Sequence, residues 1–174
     1  MWNLSESEIL LTISELSVAF AGFASLASIL GQRFSKDDPR LDAGRLLNML
    51  TVSLALTVLS LVPLLPMLLG WSPRLAWGAS GAMGLATMAS LCPSILRRVG
   101  KMKQYQGFNA PTNLAGFALA LFAVVGFASS AFGFPSSNPF SAYFGSIIAL
   151  LTMCAALFFR VIVSLLQGEE KHAA

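Results

Sequence analysis

The sequence predicts an all-α, polytopic transmembrane bundle of five spans with its N-terminus outside the cytoplasm and its C-terminus inside. Three observations carry that expectation. The chain is 56% hydrophobic and only 11% charged, against about 25% charged in an ordinary soluble domain. The apolar residues are gathered into runs at 9–30, 46–69, 75–96, 114–134 and 140–166, each near the roughly 20 residues needed to cross a bilayer core. Of the 11 Lys and Arg residues, only Arg74 falls outside the connections and tail of one side. Lipid offers no water to backbone N–H and C=O groups, so runs of this kind must be helical. With 174 residues the chain forms one integral membrane domain, 1–174.

The first run starts at Ile9, behind a capping box of Ser5 and Glu8. Among the five uninterrupted apolar stretches, the fifth counted from Phe140 to Phe159, only this one contains an acidic or basic residue, Glu15. Ser14, Ser17, Ala21, Ala24, Ser28 and Gly31 recur at alternating spacings of three and four, a stripe of small residues suited to close helix packing. Leu16, Phe20, Phe23 and Leu30 suit lipid, and Glu15 lies almost opposite the stripe. The first helix is therefore expected to be contacted on two sides, in a central or subunit-facing position.

The second run follows Asp38-Pro39, a capping side chain before a proline at the first helical position. Begun at Pro39, that helix is about 46 Å long and projects beyond its span. Pro63 and Pro66 each lack an N–H, free a carbonyl one turn earlier, and predict a bend. Ser72-Pro73 opens the third helix, in which Gly78, Ala82, Ala86 and Ser90 step by four and Pro93 predicts a second bend. The fourth begins near Pro111 and Thr112 and carries Gly116, Ala120, Ala123, Gly126, Ser130 and Gly133. Asn138-Pro139 opens the fifth. Gly31, Gly70, Gly100 and Gly168 are placed where a left-handed cap ends a helix, and Gly133 with Pro135 closes the fourth.

Orientation follows from charge. Arg33, Lys36, Arg40 and Arg45 connect spans one and two, Arg97, Arg98, Lys101 and Lys103 connect three and four, and Arg160 and Lys171 flank the C-terminal end. The positive-inside rule assigns that side to the cytoplasm. Trp2, Trp71, Trp77 and Tyr143 gather toward the other side, as an aromatic belt does. Glu6 and Glu8 stand where a secretory signal peptide has Lys or Arg, so none is expected. The expected location is a bacterial cytoplasmic (inner) membrane.

The net charge of +3 is explained by these topology signals and points to no nucleic acid. Cys92 and Cys154 lie inside apolar runs and read as small hydrophobes, with no disulfide framework or metal site implied. His172 lies in the tail, which removes a histidine-based relay from within the membrane. No glycine-rich phosphate loop after a strand and no paired carboxylates within one span are present. The expectation is a protein that is not an enzyme and needs no cofactor and no metal.

Glu15 is the residue that asks for a functional account. A carboxyl group in hydrocarbon is costly unless protonated, paired or wetted. It lies about 9 Å below the edge of its span. At that level the other helices offer Ser80, Ser129, Ser130 and Ser146, with Tyr143 a turn higher. These residues form the candidate ion or solute site. Arg33, Lys36, Arg40, Arg97, Arg98, Lys101 and Lys103 are candidate contacts for anionic lipid. The functional expectation is an oligomeric or complex-forming membrane subunit, partnered by the bilayer and by its own copies or another membrane subunit. It would move a small ion or solute near Glu15. The alternative is a non-transporting structural or regulatory partner in which Glu15 is interhelical glue, and a lipid-modifying enzyme is a distant third.

Overall fold

The computed structural model of the protein describes residues 4–34, 39–102, 110–133 and 138–173. These form six helices: α1 Leu4–Phe34, α2 Pro39–Leu61, α3 Leu64–Leu68, α4 Pro73–Met102, α5 Ala110–Phe132 and α6 Pro139–Ala173. No strand occurs among the described residues. Five helices are long and apolar enough to cross a membrane, at Glu6–Ala27, Leu46–Leu68, Pro73–Gly100, Leu114–Phe132 and Pro139–Val163, the second formed jointly by α2 and α3.

The prolines act through their missing N–H groups. Pro63 cannot donate to the carbonyl of Leu59, and α2 ends at Leu61. The chain turns once and resumes as α3, with the Leu65 N–H reaching the Val62 carbonyl at 3.3 Å. Thus the expected bend is a full interruption. α3 closes in a Schellman motif: Trp71 N–H donates to the Pro66 carbonyl at 3.0 Å and Gly70 N–H to Met67 at 3.1 Å. Gly70 takes φ +71°, the left-handed geometry this motif needs. Gly133 does the same after α5 at φ +66°. At the head of α6, the Asn138 side chain accepts the Phe140 N–H at 3.1 Å, so Asn138-Pro139 caps the helix as expected.

Other boundaries differ from expectation. Gly31, Gly100 and Gly168 lie inside α1, α4 and α6, because a glycine within a helix weakens it by about 1 kcal/mol but does not end it. Ser5 likewise lies inside α1, which begins at Leu4. Asp38 and Pro135, invoked for two of the helix ends, are outside the described residues.

α6 is the helix around which the others pack: it touches α5, α2, α1 and α4. One core cluster joins Leu10 and Ile13 of α1, Leu56 and Leu59 of α2, Trp77 of α4, Phe127 of α5 and Tyr143, Ile147 and Leu150 of α6. A second, toward the other end, joins Ala24, Leu46, Met49 and Val161. α1 sits at the edge, packed on α2 and α6. The expected central place of the first helix therefore belongs to the fifth span.

Close approach explains which glycines matter. A Cβ on Gly81 would stand 2.7 Å from the Ala131 nitrogen and 2.8 Å from the Phe127 carbonyl oxygen, so α4 and α5 meet backbone to backbone. A Cβ on Gly126 would press on the Ala142 carbonyl at 2.7 Å, which does the same for α5 and α6. The α1 stripe packs inward through Ser14, Ser17 and Ala24, all buried. On α4, by contrast, Ala82, Ala86 and Ser90 are exposed, and the packed face carries Gly81 and Gly84. Spacing alone could not separate these two faces, because α4 has small residues on both. Phe20 was assigned to lipid, yet it is half-buried and stands edge-on to Phe158 with ring centroids 5.7 Å apart.

Candidate functional site

Of the hydroxyls expected around Glu15, those of Ser80, Ser130, Tyr143 and Ser146 are buried in the bundle and that of Ser129 is half-buried, and each is spoken for. Tyr143 is fully buried and donates to the Leu59 carbonyl at 2.6 Å, the oxygen that Pro63 leaves without a helical donor. Ser130 donates across the α4–α5 contact to the Trp77 carbonyl at 3.0 Å. Ser80, Ser129 and Ser146 donate to carbonyls of their own helices, those of Ala76, Val125 and Ala142, at 2.8, 2.9 and 3.0 Å. Rings of Trp77, Phe127 and Phe140 pack around Tyr143 and one another. This cluster ties α2, α4, α5 and α6 together as interhelical glue.

Glu15 is not among them. Ile13, two residues earlier and about 200° around the helix, is the residue that faces this core. Glu15 points outward from α1, exposed, near the middle of Glu6–Ala27. Glu8, Thr12, Ala19 and Gly22 share its exposed side. Leu11 and Val18 flank that side on one edge, Leu16 and Phe23 on the other, all exposed. A Cβ at Gly22 would meet nothing within 4 Å. The result is an exposed strip of small and polar residues flanked by apolar ones, with a carboxyl in its middle.

A second polar site lies at the basic end, where α2 begins and α4 ends. The Arg98 guanidinium reaches from α4 to α2 and donates through Nη1 to Oδ1 of Asn48 and Oγ1 of Thr51, both at 3.2 Å. Thr51 passes its own proton to the Leu47 carbonyl at 2.7 Å, leaving its lone pairs for the arginine. Asn48 is buried and Arg98 half-buried. Beside them a cavity of about 340 Å³ is lined by Ser90, Pro93, Ser94, Arg97 and Arg98. Sequence reasoning grouped Arg97 and Arg98 with the other basic residues and missed Asn48 and Thr51. The available signal was Asn48, an amide two positions into an apolar run. Lys36 and Lys103 lie outside the described residues, as do the side chains of Arg33, Arg40 and Lys101. Among the described residues, no group of three or more His, Cys, Asp or Glu side chains is placed to hold a metal.

The class of protein that this architecture defines is a helical bundle with five helices of membrane-crossing length. Comparison with family models, with curated proteins and with solved structures finds no match.

Proposed function

We propose that this chain is a subunit of the bacterial cytoplasmic membrane that works by assembling with its own copies through the outward face of α1. The observation that carries the reading is the place of Glu15: exposed on the bundle surface, within an apolar span. Facing acyl chains, an ionisable side chain at the middle of a span costs about 3 kcal/mol on insertion scales. A neighbouring helix laid against Ala19 and Gly22 removes that cost by supplying hydrogen bonds and excluding lipid. Small residues there permit the close backbone approach that drives association in lipid.

Within one bundle the hydroxyls are committed to carbonyls, so a path for a small ion or solute runs between copies, past Glu15. The non-transporting reading is favoured by that same closed interior, and it makes Glu15 an interfacial hydrogen-bonding group only. The N-out, C-in arrangement, supported by the Lys and Arg bias, puts Glu8 at the outer mouth of this interface.

Glu15→Gln distinguishes the two, because it keeps hydrogen bonding and removes the carboxyl group. In proteoliposomes the transport reading expects proton or small-cation flux in the wild type and its loss in Glu15→Gln, with subunit number per particle unchanged. Equal flux in both proteins would end the transport reading. A single subunit per particle in the wild type would end the assembly reading as well.

A further inference from the structure

The cavity at the basic end stands apart from the α1 face and owes nothing to the assembly reading. Among the described residues its lining holds two guanidinium groups, from Arg97 and Arg98, and two hydroxyls, from Ser90 and Ser94, and no carboxylate. Arg98 is fixed in place from behind. Among the described residues it donates to neutral acceptors through Nη1, which leaves its Nε and Nη2 hydrogens for a ligand oxygen, and its charge is not neutralised by Asn48 or Thr51. A guanidinium held this way is organised for an oxyanion: the fork of donors matches a phosphate, and little freedom is lost on binding.

The surface that continues from the cavity says which phosphate. Arg97, Pro93, Ala89, Ala86 and Ala82 fall on one exposed face of α4, at spacings of three and four. Below the arginine, that face is a shallow track of small apolar residues running into the span Pro73–Gly100. Leu96 beside it is 47% exposed. The charged end of the track lies where Pro73–Gly100 ends, at the level of headgroups. A soluble anion would use only the arginines, whereas a phospholipid would use the arginines and the track together.

We propose that this cavity binds the phosphodiester headgroup of an anionic phospholipid, with one acyl chain lying along Ala89, Ala86 and Ala82. Arg98 grips the phosphate, Arg97 covers it from the exposed side, and the Ser94 hydroxyl reaches a remaining oxygen, while Ser90, which donates to the Thr87 carbonyl at 2.8 Å, offers only its lone pairs, to a glycerol hydroxyl. Pro93 has no N–H for the Ala89 carbonyl, so it loosens the helix where the headgroup enters.

The purified full chain, in a mild detergent, is titrated with phosphatidylglycerol, with phosphatidylcholine and with inorganic phosphate, and bound lipid is read by native mass spectrometry together with the thermal unfolding midpoint. Phosphatidylglycerol is expected to bind and raise the midpoint, and the other two to do neither at the same concentration. Arg97→Gln should weaken phosphatidylglycerol about fivefold, in line with the contribution of one basic group to anionic-lipid binding. Lys171→Gln, which makes the same charge change elsewhere at the same end, should weaken it less than about twofold. Arg97 is exposed and has no contact in the core clusters, so its variant tests the site even if Arg98→Gln fails to fold. Equal weakening by Arg97→Gln and Lys171→Gln would reduce the effect to general charge and overturn the site. Inorganic phosphate matching phosphatidylglycerol would transfer the cavity to a soluble anion and overturn the lipid assignment.

Discussion

Removing the Tyr143 hydroxyl should cost stability only for as long as Pro63 is present. Tyr143 donates to the Leu59 carbonyl at 2.6 Å. That oxygen has no other helical donor, because the residue one turn later is Pro63. Both Tyr143 and Leu59 are fully buried, so water cannot take the hydroxyl's place. A buried acceptor left unpaired costs about 1–3 kcal/mol, while interhelical hydrogen bonds in membrane bundles average about 0.6 and reach about 1.7 kcal/mol. Tyr143→Phe keeps the ring against Trp77 and Phe127 and orphans the carbonyl, so its cost should sit at the upper end, about 1.5 kcal/mol. Pro63→Ala restores an N–H to the helix ladder, and in that background the same change should cost about 0.5 kcal/mol. Unfolding in mixed micelles by a denaturing detergent measures all four proteins of the cycle. Equal costs of Tyr143→Phe in both backgrounds would refute the idea that this hydroxyl serves the carbonyl freed by proline.

Two further outcomes follow from packing and charge. Gly81→Ala should destabilise by about 1–3 kcal/mol, since the new methyl meets backbone atoms of α5 that cannot rotate away; Gly116→Ala, with nothing within 4 Å, should be neutral or slightly stabilising in the same unfolding assay. Cysteines introduced near Arg40 and Gln104 should react with impermeant thiol reagents only from the cytoplasmic side, and one at Ser137 only from outside; reversed labelling would invert the proposed orientation.

What the sequence made legible was set by local chemistry. Span positions followed from hydrocarbon thickness, the α2 break from two prolines, and the α6 start from Asn138 beside Pro139. The small stripe of α1 was legible as a packing face from residue size and spacing, and Ser14, Ser17 and Ala24 are buried, whereas the contact expected on the Glu15 side is not made within the bundle. Where several faces of a helix were compatible with contact, periodicity did not choose. α4 has small residues on two faces, and only the fit against Phe127 and Ala131 selects Gly81 and Gly84. The candidate site divided for a related reason. Glu15 and the serines were grouped by depth alone, and depth says nothing of the direction in which a side chain points. Arg98 meets Asn48 and Thr51 only because α2 and α4 come together at their basic ends, a tertiary fact that neither segment encodes alone.

Disulfide trapping at Ala19 tests the proposed α1 interface most directly. Cys154 is fully buried, so only Cys92 needs replacing by alanine to clear the surface of reactive thiols. With Ala19→Cys in that background, a membrane-permeant oxidant should convert most of the protein in native membranes to a covalent dimer, and Leu114→Cys, 71% exposed on α5, should stay monomeric. A monomer at Ala19 under conditions that trap Leu114→Cys, or equal trapping at both positions, would contradict assembly through the Glu15 face.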